Sequence, residues 1–199
     1  MSDIETQART GGRFLIEEIG TSPVFSREKF TDEHKEIEQM IKEFAANRIG
    51  ENANEINKFN KDLSLSILRE MGELGLLGID VPEKYGGMDM DKITTAIASE
   101  SLSTGFCPSI TCTWIVQTGI GSLPIVWFGT PEQKAKYLPK IVTAEQVGAY
   151  GLTEPSAGSD ALAGRTTAML TEDGKYYILN GEKIFITNGG WADIFTVFA

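Results

Sequence analysis

The chain has 199 residues, 41% of them hydrophobic and 23% charged, which is the balance of a soluble globular protein long enough to bury a real core. With 18 Lys+Arg against 28 Asp+Glu the net charge is −10, which excludes a basic nucleic-acid binder on bulk electrostatics. Residues 1–13 mix acidic with basic side chains and hold no apolar run of export-signal length, so a cytoplasmic protein is expected.

Ile37, Met40, Ile41, Phe44, Ala45 and Ile49 recur at helical spacing behind Thr31. Asp32 and Glu33 stand in the first turn, where the positive end of the helix dipole favours them, and Arg48 and Gly50 close the segment, so a helix is predicted over 31–49. A second helix is predicted by Ile67, Leu68, Met71 and Leu74, behind Asp62 and Ser64 and ahead of Gly75. Pro82 and the pair Gly86-Gly87 mark a loop, since proline removes a donor and paired glycines favour a turn. A third helix is predicted over Asp91 to Ser103, with Ile93, Ala96 and Ile97 inward. Residues 101–131 carry no charge, but Pro108, Gln117, Gly119, Gly121 and Pro124 interrupt them too often for a spanning helix. One or two buried helices over 106–128, and no membrane segment, are expected. Thr130-Pro131-Glu132-Gln133 combines a cap, a first-turn proline and a capping-box glutamine, and so starts another helix.

Beyond Gln146 the pattern changes to short runs rich in β-branched and aromatic residues: 166–170, 176–179, 183–187 and 194–198. Asp173-Gly174, Asn180-Gly181 and Asn188-Gly189-Gly190 separate them, and Asn-Gly between two such runs is a strong hairpin signal because both turn positions need positive φ. An antiparallel meander is expected, its last strand reaching Ala199 without a partner. Since an open apolar edge is an aggregation liability, the sequence is expected to be the N-terminal part of a larger protein, or to need something that completes the sheet.

His34 is the only histidine, which excludes a Ser-His-Asp triad elsewhere in the chain and any multi-histidine metal site. Cys107 and Cys112 are too few for a disulfide or metal framework and read as two buried thiols. No metal is expected. Gly119-Ile120-Gly121 begins like a dinucleotide fingerprint, but Pro124 stands at the third glycine position and a helix precedes it. The segment 150–160 leaves a probable strand, turns at Pro155 and gathers small residues. Its amides and hydroxyls could converge on an anion or polar heterocycle, or it could be a polar loop making local backbone bonds. Phe185-Ile186-Thr187-Asn188 could place an aromatic platform beside a hydroxyl donor, or simply form one inward face of a sheet.

Several ordered motifs resemble those of the acyl-CoA dehydrogenase family. They are Glu73-Leu74-Gly75-Leu76-Leu77-Gly78 with Val81-Pro82-Glu83-Lys84-Tyr85-Gly86-Gly87, then Phe128-Gly129-Thr130-Pro131-Glu132-Gln133-Lys134 with Tyr137-Leu138-Pro139. Leu152-Thr153-Glu154-Pro155-Ser156-Ala157-Gly158-Ser159-Asp160 and Asn180-Gly181-Glu182-Lys183-Ile184-Phe185-Ile186-Thr187-Asn188-Gly189 complete the set. The stretch Gly11-Gly12-Arg13-Phe14-Leu15-Ile16-Glu17 is similar to the very-long-chain branch.

The resemblance implies an α+β chain: an N-terminal all-α helical domain followed by the first strands of an antiparallel β-barrel domain, with the family's C-terminal helical bundle absent. An extension over 1–29, a helical domain over 30–145 and an incomplete β-barrel domain over 146–199 are expected. Family members bind FAD and convert fatty acyl-CoA to trans-2-enoyl-CoA in fatty acid β-oxidation. A glutamate takes the α-proton and the flavin takes the β-hydride, so both developing charges need stabilising partners. Carried over by position, Tyr150, Leu152 and Thr153 would line the flavin ring, with the Thr153 hydroxyl on its polar edge. Gly158 would allow close backbone approach, and Ser159 would meet the FAD phosphates and the acyl-CoA substrate. Phe185 and Ile186 would pack on the ring, and Thr187 would hydrogen-bond near the hydride-accepting nitrogen. The family usually carries Trp where Phe185 stands, and Phe keeps the aromatic face while losing the indole donor and some area. The resemblance places the catalytic base in the C-terminal bundle, with Glu154 capping loop backbone instead. An electron-transferring flavoprotein is the implied acceptor and a homo-oligomer the implied assembly. A non-catalytic acyl-CoA or flavin-binding module that needs a partner chain, and an acyl-CoA oxidase, share these motifs.

Overall fold

A computed structural model of the chain describes Glu18 and residues 26–199, so the 11–17 motif lies outside the described residues. Helix α1 (Asp32–Phe44) starts where the sequence places its cap: Thr31 Oγ1 accepts from the His34 amide at 3.1 Å, and His34 Nδ1 accepts from the Thr31 amide at 3.2 Å. A ring nitrogen that accepts leaves the proton on the other, and His34 Nε2 stands 3.2 Å from Asp91 Oδ2. Asp91 is itself the cap of α4 (Lys92–Ser103), accepting from the Thr94 amide at 2.8 Å. One imidazole thereby joins two helix starts.

The predicted helix 31–49 is continuous in direction but not in pitch, since α1 passes into a π turn at Ala45–Ile49 and a 3-10 turn at Gly50–Asn52 before the short α2 (Ala53–Asn57). In an unbroken α-helix Ile49 would drift round the helix from Ile41. The wider turn returns it to the same side, and Ile41, Ala45 and Ile49 are all fully buried. Helix α3 (Lys61–Glu73) is capped by Asn60, whose side chain accepts from the Leu63 amide at 3.2 Å, upstream of the Asp62 and Ser64 expected to start it. Ile67, Leu68 and Met71 pack with Leu77 and Trp114 in the main core, where the Trp114 indole donates to the Leu76 carbonyl at 2.9 Å.

The uncharged stretch forms α5 (Pro108–Thr118) and α6 (Leu123–Phe128). By length and composition 108–128 passes as a membrane span, but it is broken between Thr118 and Leu123 and half of it is buried inside the fold. Of the one or two buried helices expected there, α5 is the buried one; α6 buries none of its residues and leaves Trp127 and Phe128 exposed. Cys107 is buried, whereas Cys112 is exposed, so the two thiols are not equivalent. Helix α7 (Pro131–Val142) begins with the Thr130–Gln133 capping box foreseen from the sequence.

Four short strands follow: β1 (Gly148–Gly151), β2 (Thr167–Leu170), β3 (Tyr177–Asn180) and β4 (Ile194–Val197). They form two pairs rather than a meander. β2 and β3 are antiparallel, turning at Asp173-Gly174 with Gly174 at φ +69°, while β1 and β4 run parallel with Gly148 opposite Ile194. A parallel pair needs a long crossover, and the chain between Gly151 and Ile194 supplies it. The last strand, expected to lack a partner, thus has β1. The run 183–187, expected as a strand after an Asn180-Gly181 turn, is a loop: Phe185 at φ +57° and Asn188 at φ +67° are left-handed and cannot belong to an extended ladder.

Two buried amides hold the strands to the helices. Gln117, fully buried on α5, donates through Nε2 to the carbonyls of Ile141 (2.9 Å) and Gln146 (3.0 Å), and its Oε1 accepts from the Gly148 amide at 2.7 Å. Asn188 Nδ2 donates to the Gly148 carbonyl at 3.1 Å and the Thr113 carbonyl at 3.4 Å. Gln117→Leu keeps the volume but strands an amide and two carbonyls, so urea denaturation is expected to show a loss of about 2–4 kcal/mol at unchanged m. A loss under about 0.5 kcal/mol would show that these bonds carry no net weight.

Candidate functional site

The end of α5 and the start of the strand region meet through two glycines. A Cβ on Gly121 would stand 2.7 Å from the Val116 carbonyl and 3.4 Å from Gly148 backbone, and one on Gly148 would stand 3.3 Å from Gly121 Cα. This close approach sets β1 beside the last turn of α5. Between them lies a cavity of about 230 Å³, lined by Val116, Ile120, Tyr150, Leu152, Thr153, Phe185, Ile186 and Thr187. The volume suits a ring system, not a whole dinucleotide.

Six of the residues singled out from the sequence, Tyr150, Leu152, Thr153, Phe185, Ile186 and Thr187, therefore share one cavity although they come from two separate segments. Gly158 and Ser159 do not line it. They are exposed on the loop beyond the tight turn at Pro155-Ser156, which closes with the Glu154 amide on the Ala157 carbonyl at 3.0 Å and the reverse bond at 3.1 Å. A Cβ on Gly158 would meet no atom within 4 Å, so the protein's own packing does not demand glycine there. Val116 and Ile120 were missed by the sequence reading. Their signal was the Gly119-Ile120-Gly121 run, whose glycine serves helix-to-strand approach and not a phosphate.

The cavity's chemistry is apolar with polar points. The Tyr150 ring is held against Phe198, centroids 5.1 Å apart. The Phe185 ring is 88% exposed, on a backbone whose left-handed φ is strained for a bulky residue. Among the described residues neither the Thr153 nor the Thr187 hydroxyl has a protein hydrogen-bond partner. A flat heterocycle with an apolar face and hydrogen-bonding edges fits this set: an uncovered aromatic ring to pack on and two hydroxyls without partners.

The two segments are tied together beside the cavity. The Ile184 amide donates to the Thr153 carbonyl at 2.9 Å, and Lys183 Nζ donates to the Leu152 carbonyl at 3.0 Å and to Glu154 Oε1 at 2.7 Å. Glu154, 5% exposed, also accepts from the amides of Arg165 (2.6 Å) and Thr166 (2.9 Å). Lys183 first, with the two amides, holds its carboxyl well below the ordinary value of 4.5. A carboxylate so engaged is a poor proton acceptor, and its structural role is the loop-capping one expected.

Family models and relatives agree on what the chain is similar to. A model described as acyl-CoA dehydrogenase, N-terminal domain, matches residues 31–145, and one described as acyl-CoA dehydrogenase, middle domain, matches residues 149–199. A probable acyl-CoA dehydrogenase of Bacillus subtilis (strain 168) is 44% identical over the whole chain, which corresponds to 33% of that protein. The very long-chain specific acyl-CoA dehydrogenase of human mitochondria is 36% identical over 94% of this chain and 28% of its own length. The crystal structure of an acyl-CoA dehydrogenase from Bacillus anthracis complexed with FAD superposes with a TM-score of 0.90 at 47% identity, covering 96% of this chain and 33% of that one. The chain spans about a third of the length of these relatives.

Because the folded Glu154 carboxyl titrates below 4.5, its ionised form adds stability that is complete above that pH and is lost as pH falls towards the folded value. The stability difference between wild type and Glu154→Gln is expected to be flat from about pH 7 to about pH 5 and to shrink on further acidification, measured by urea denaturation. A difference that grew on acidification would contradict the assignment.

Proposed function

Because this chain belongs to the acyl-CoA dehydrogenase family, we propose that it supplies the flavin-facing wall and part of the acyl pocket of an FAD-dependent oxidoreductase that converts fatty acyl-CoA thioesters to trans-2-enoyl-CoA. The observation that carries the reading is the single cavity in which Thr153, Phe185 and Thr187 meet, with both hydroxyls and the ring uncovered. FAD bound there supplies a two-electron acceptor for the β-hydride when the α-proton is removed. Phe185 and Ile186 give its ring a face to pack on, Thr153 and Thr187 hold its polar edges, and Val116 and Ile120 exclude water from the α5 side. Ser159, exposed on its loop, is the residue we assign to the FAD phosphates and the acyl-CoA, and Gly158 leaves the approach to it open. No carboxylate lines the cavity, so the proton acceptor is assigned to none of the described residues.

We extend the reading to a place in fatty acid β-oxidation, an electron-transferring flavoprotein as acceptor and a cytoplasmic homo-oligomer. The two unpaired thiols suit a reducing compartment. A second reading, a non-catalytic flavin- or acyl-CoA-binding module acting with a partner, draws on the absence of a carboxylate from the cavity.

FAD titration of the whole enzyme that carries this chain, with the part that holds the proton acceptor present, followed by anaerobic addition of acyl-CoA, separates the readings. A dehydrogenase bleaches its bound flavin when acyl-CoA arrives; a module binds FAD without bleaching; failure to bind FAD contradicts both flavin readings. Phe185→Ala is expected to weaken FAD binding about tenfold through the lost ring face. Thermal stability should barely move, because the ring is 88% exposed. Equal FAD affinity in wild type and variant would remove Phe185 from the site.

A further inference from the structure

Lys183 does not line the ring-sized cavity, yet its ammonium bonds to the residues on either side of Thr153, which does. We propose that Lys183 is a positioning residue: its ammonium, shared between the Leu152 carbonyl and the Glu154 carboxylate, sets the spacing of the two segments that carry Thr153 and Thr187. What that spacing serves rests on the flavin reading above; the clamp itself is a property of this chain.

The connectivity makes the argument. Leu152 and Glu154 flank Thr153, so an ammonium bound to both fixes Thr153 from either side. The next residue, Ile184, donates its amide to the Thr153 carbonyl at 2.9 Å, which sets the register between the segments. Glu154 is anchored independently by the Arg165 and Thr166 amides, so Lys183 is tied to a fixed point and not to another mobile side chain. The lysine stem passes over Gly151, where a Cβ would stand 3.5 Å from Lys183 Cγ.

The run 183–187 has no strand ladder to hold it, and Phe185 within it is strained at φ +57°. A further tether is Asn188, whose amide reaches the carbonyls of Thr113 and Gly148 at the far end. Without the lysine, the loop would be pinned at Asn188 and at one backbone bond. The pair is also well sheltered, with side chains 14% and 5% exposed, so water does not readily replace the lost ammonium.

Lys183→Met keeps the stem and removes the donors, and Lys183→Arg restores a cation. In Lys183→Met, hydrogen exchange at the Ile184 amide should quicken at least tenfold and the FAD dissociation constant should rise at least tenfold, with the bound flavin's absorption band shifted. Lys183→Arg should recover most of both, while the helical melting transition stays near wild type. If Lys183→Met fails to fold, Glu154→Gln takes its place, expected to move exchange and affinity in the same direction by less. Unchanged exchange overturns the proposal whether or not FAD binds. Faster exchange with unchanged FAD affinity and absorption band overturns it too, by leaving Lys183 a purely structural tie. A wild-type protein that takes up no FAD defeats the flavin reading, and the Ile184 exchange rate alone then decides whether the clamp sets the segments.

Discussion

The structure depends most on a buried amide. Gln117 sits in an apolar helix where a polar side chain is costly unless every hydrogen-bonding site is met, and its three bonds reach α7, the turn after it and the first residue of β1. That requirement fixes β1, and with it the paired β4, against α5 and α7. Asn188 works from the other side, its Nδ2 bonding α5 and β1 at once while its buried Oδ1 has no hydrogen-bond partner. Hydrophobic burial alone, being non-directional, would let β1 slide along α5; the amides do not.

From that placement the site follows. With β1 abutting the glycine-lined end of α5, Val116 and Ile120 face Tyr150, and the loop 183–187 is brought back over them by Asn188 and Lys183. The charged groups close by are turned to structure: Glu154 spends its lone pairs on two amides and an ammonium. What faces the cavity is an uncharged surface with the hydroxyl-bearing side chains of Tyr150, Thr153 and Thr187 and the aromatic rings of Tyr150 and Phe185. Such a surface can orient a flat cofactor and exclude water, but it has no group to accept a proton. The chemistry of proton removal and the binding of the cofactor ring therefore belong to different parts of the catalytic assembly we propose.

What the sequence made legible was local. The caps at Thr31 and Thr130 are signals of three and four residues and both appear where expected, and the β-branched runs mark β2, β3 and β4 to within about two residues. The antiparallel pairing of β2 with β3 across Asp173-Gly174 was legible, but the parallel pairing of β1 with β4 was not, because it joins two strands far apart in the chain and leaves no mark in either strand's own residues. The run 183–187 reads as a strand by composition, and only the left-handed backbone at Phe185 and the bonds of Lys183 and Ile184 make it a loop. The site residues came from resemblance, since spacing alone left both motifs open to plain structural readings. The Gly119-Ile120-Gly121 run marked the neighbourhood of Val116 and Ile120, but their place in the site follows from the helix end lying beside Tyr150.

The central claim is that two segments, joined beside Lys183, make one binding surface for a flavin ring. It is tested most directly by backbone amide NMR during titration with FAD. The account predicts that Val116, Tyr150, Thr153, Ile186 and Thr187 shift together on a single binding curve while the α1 and α3 signals stay in place. Shifts confined to one segment, or centred away from these residues, would contradict it.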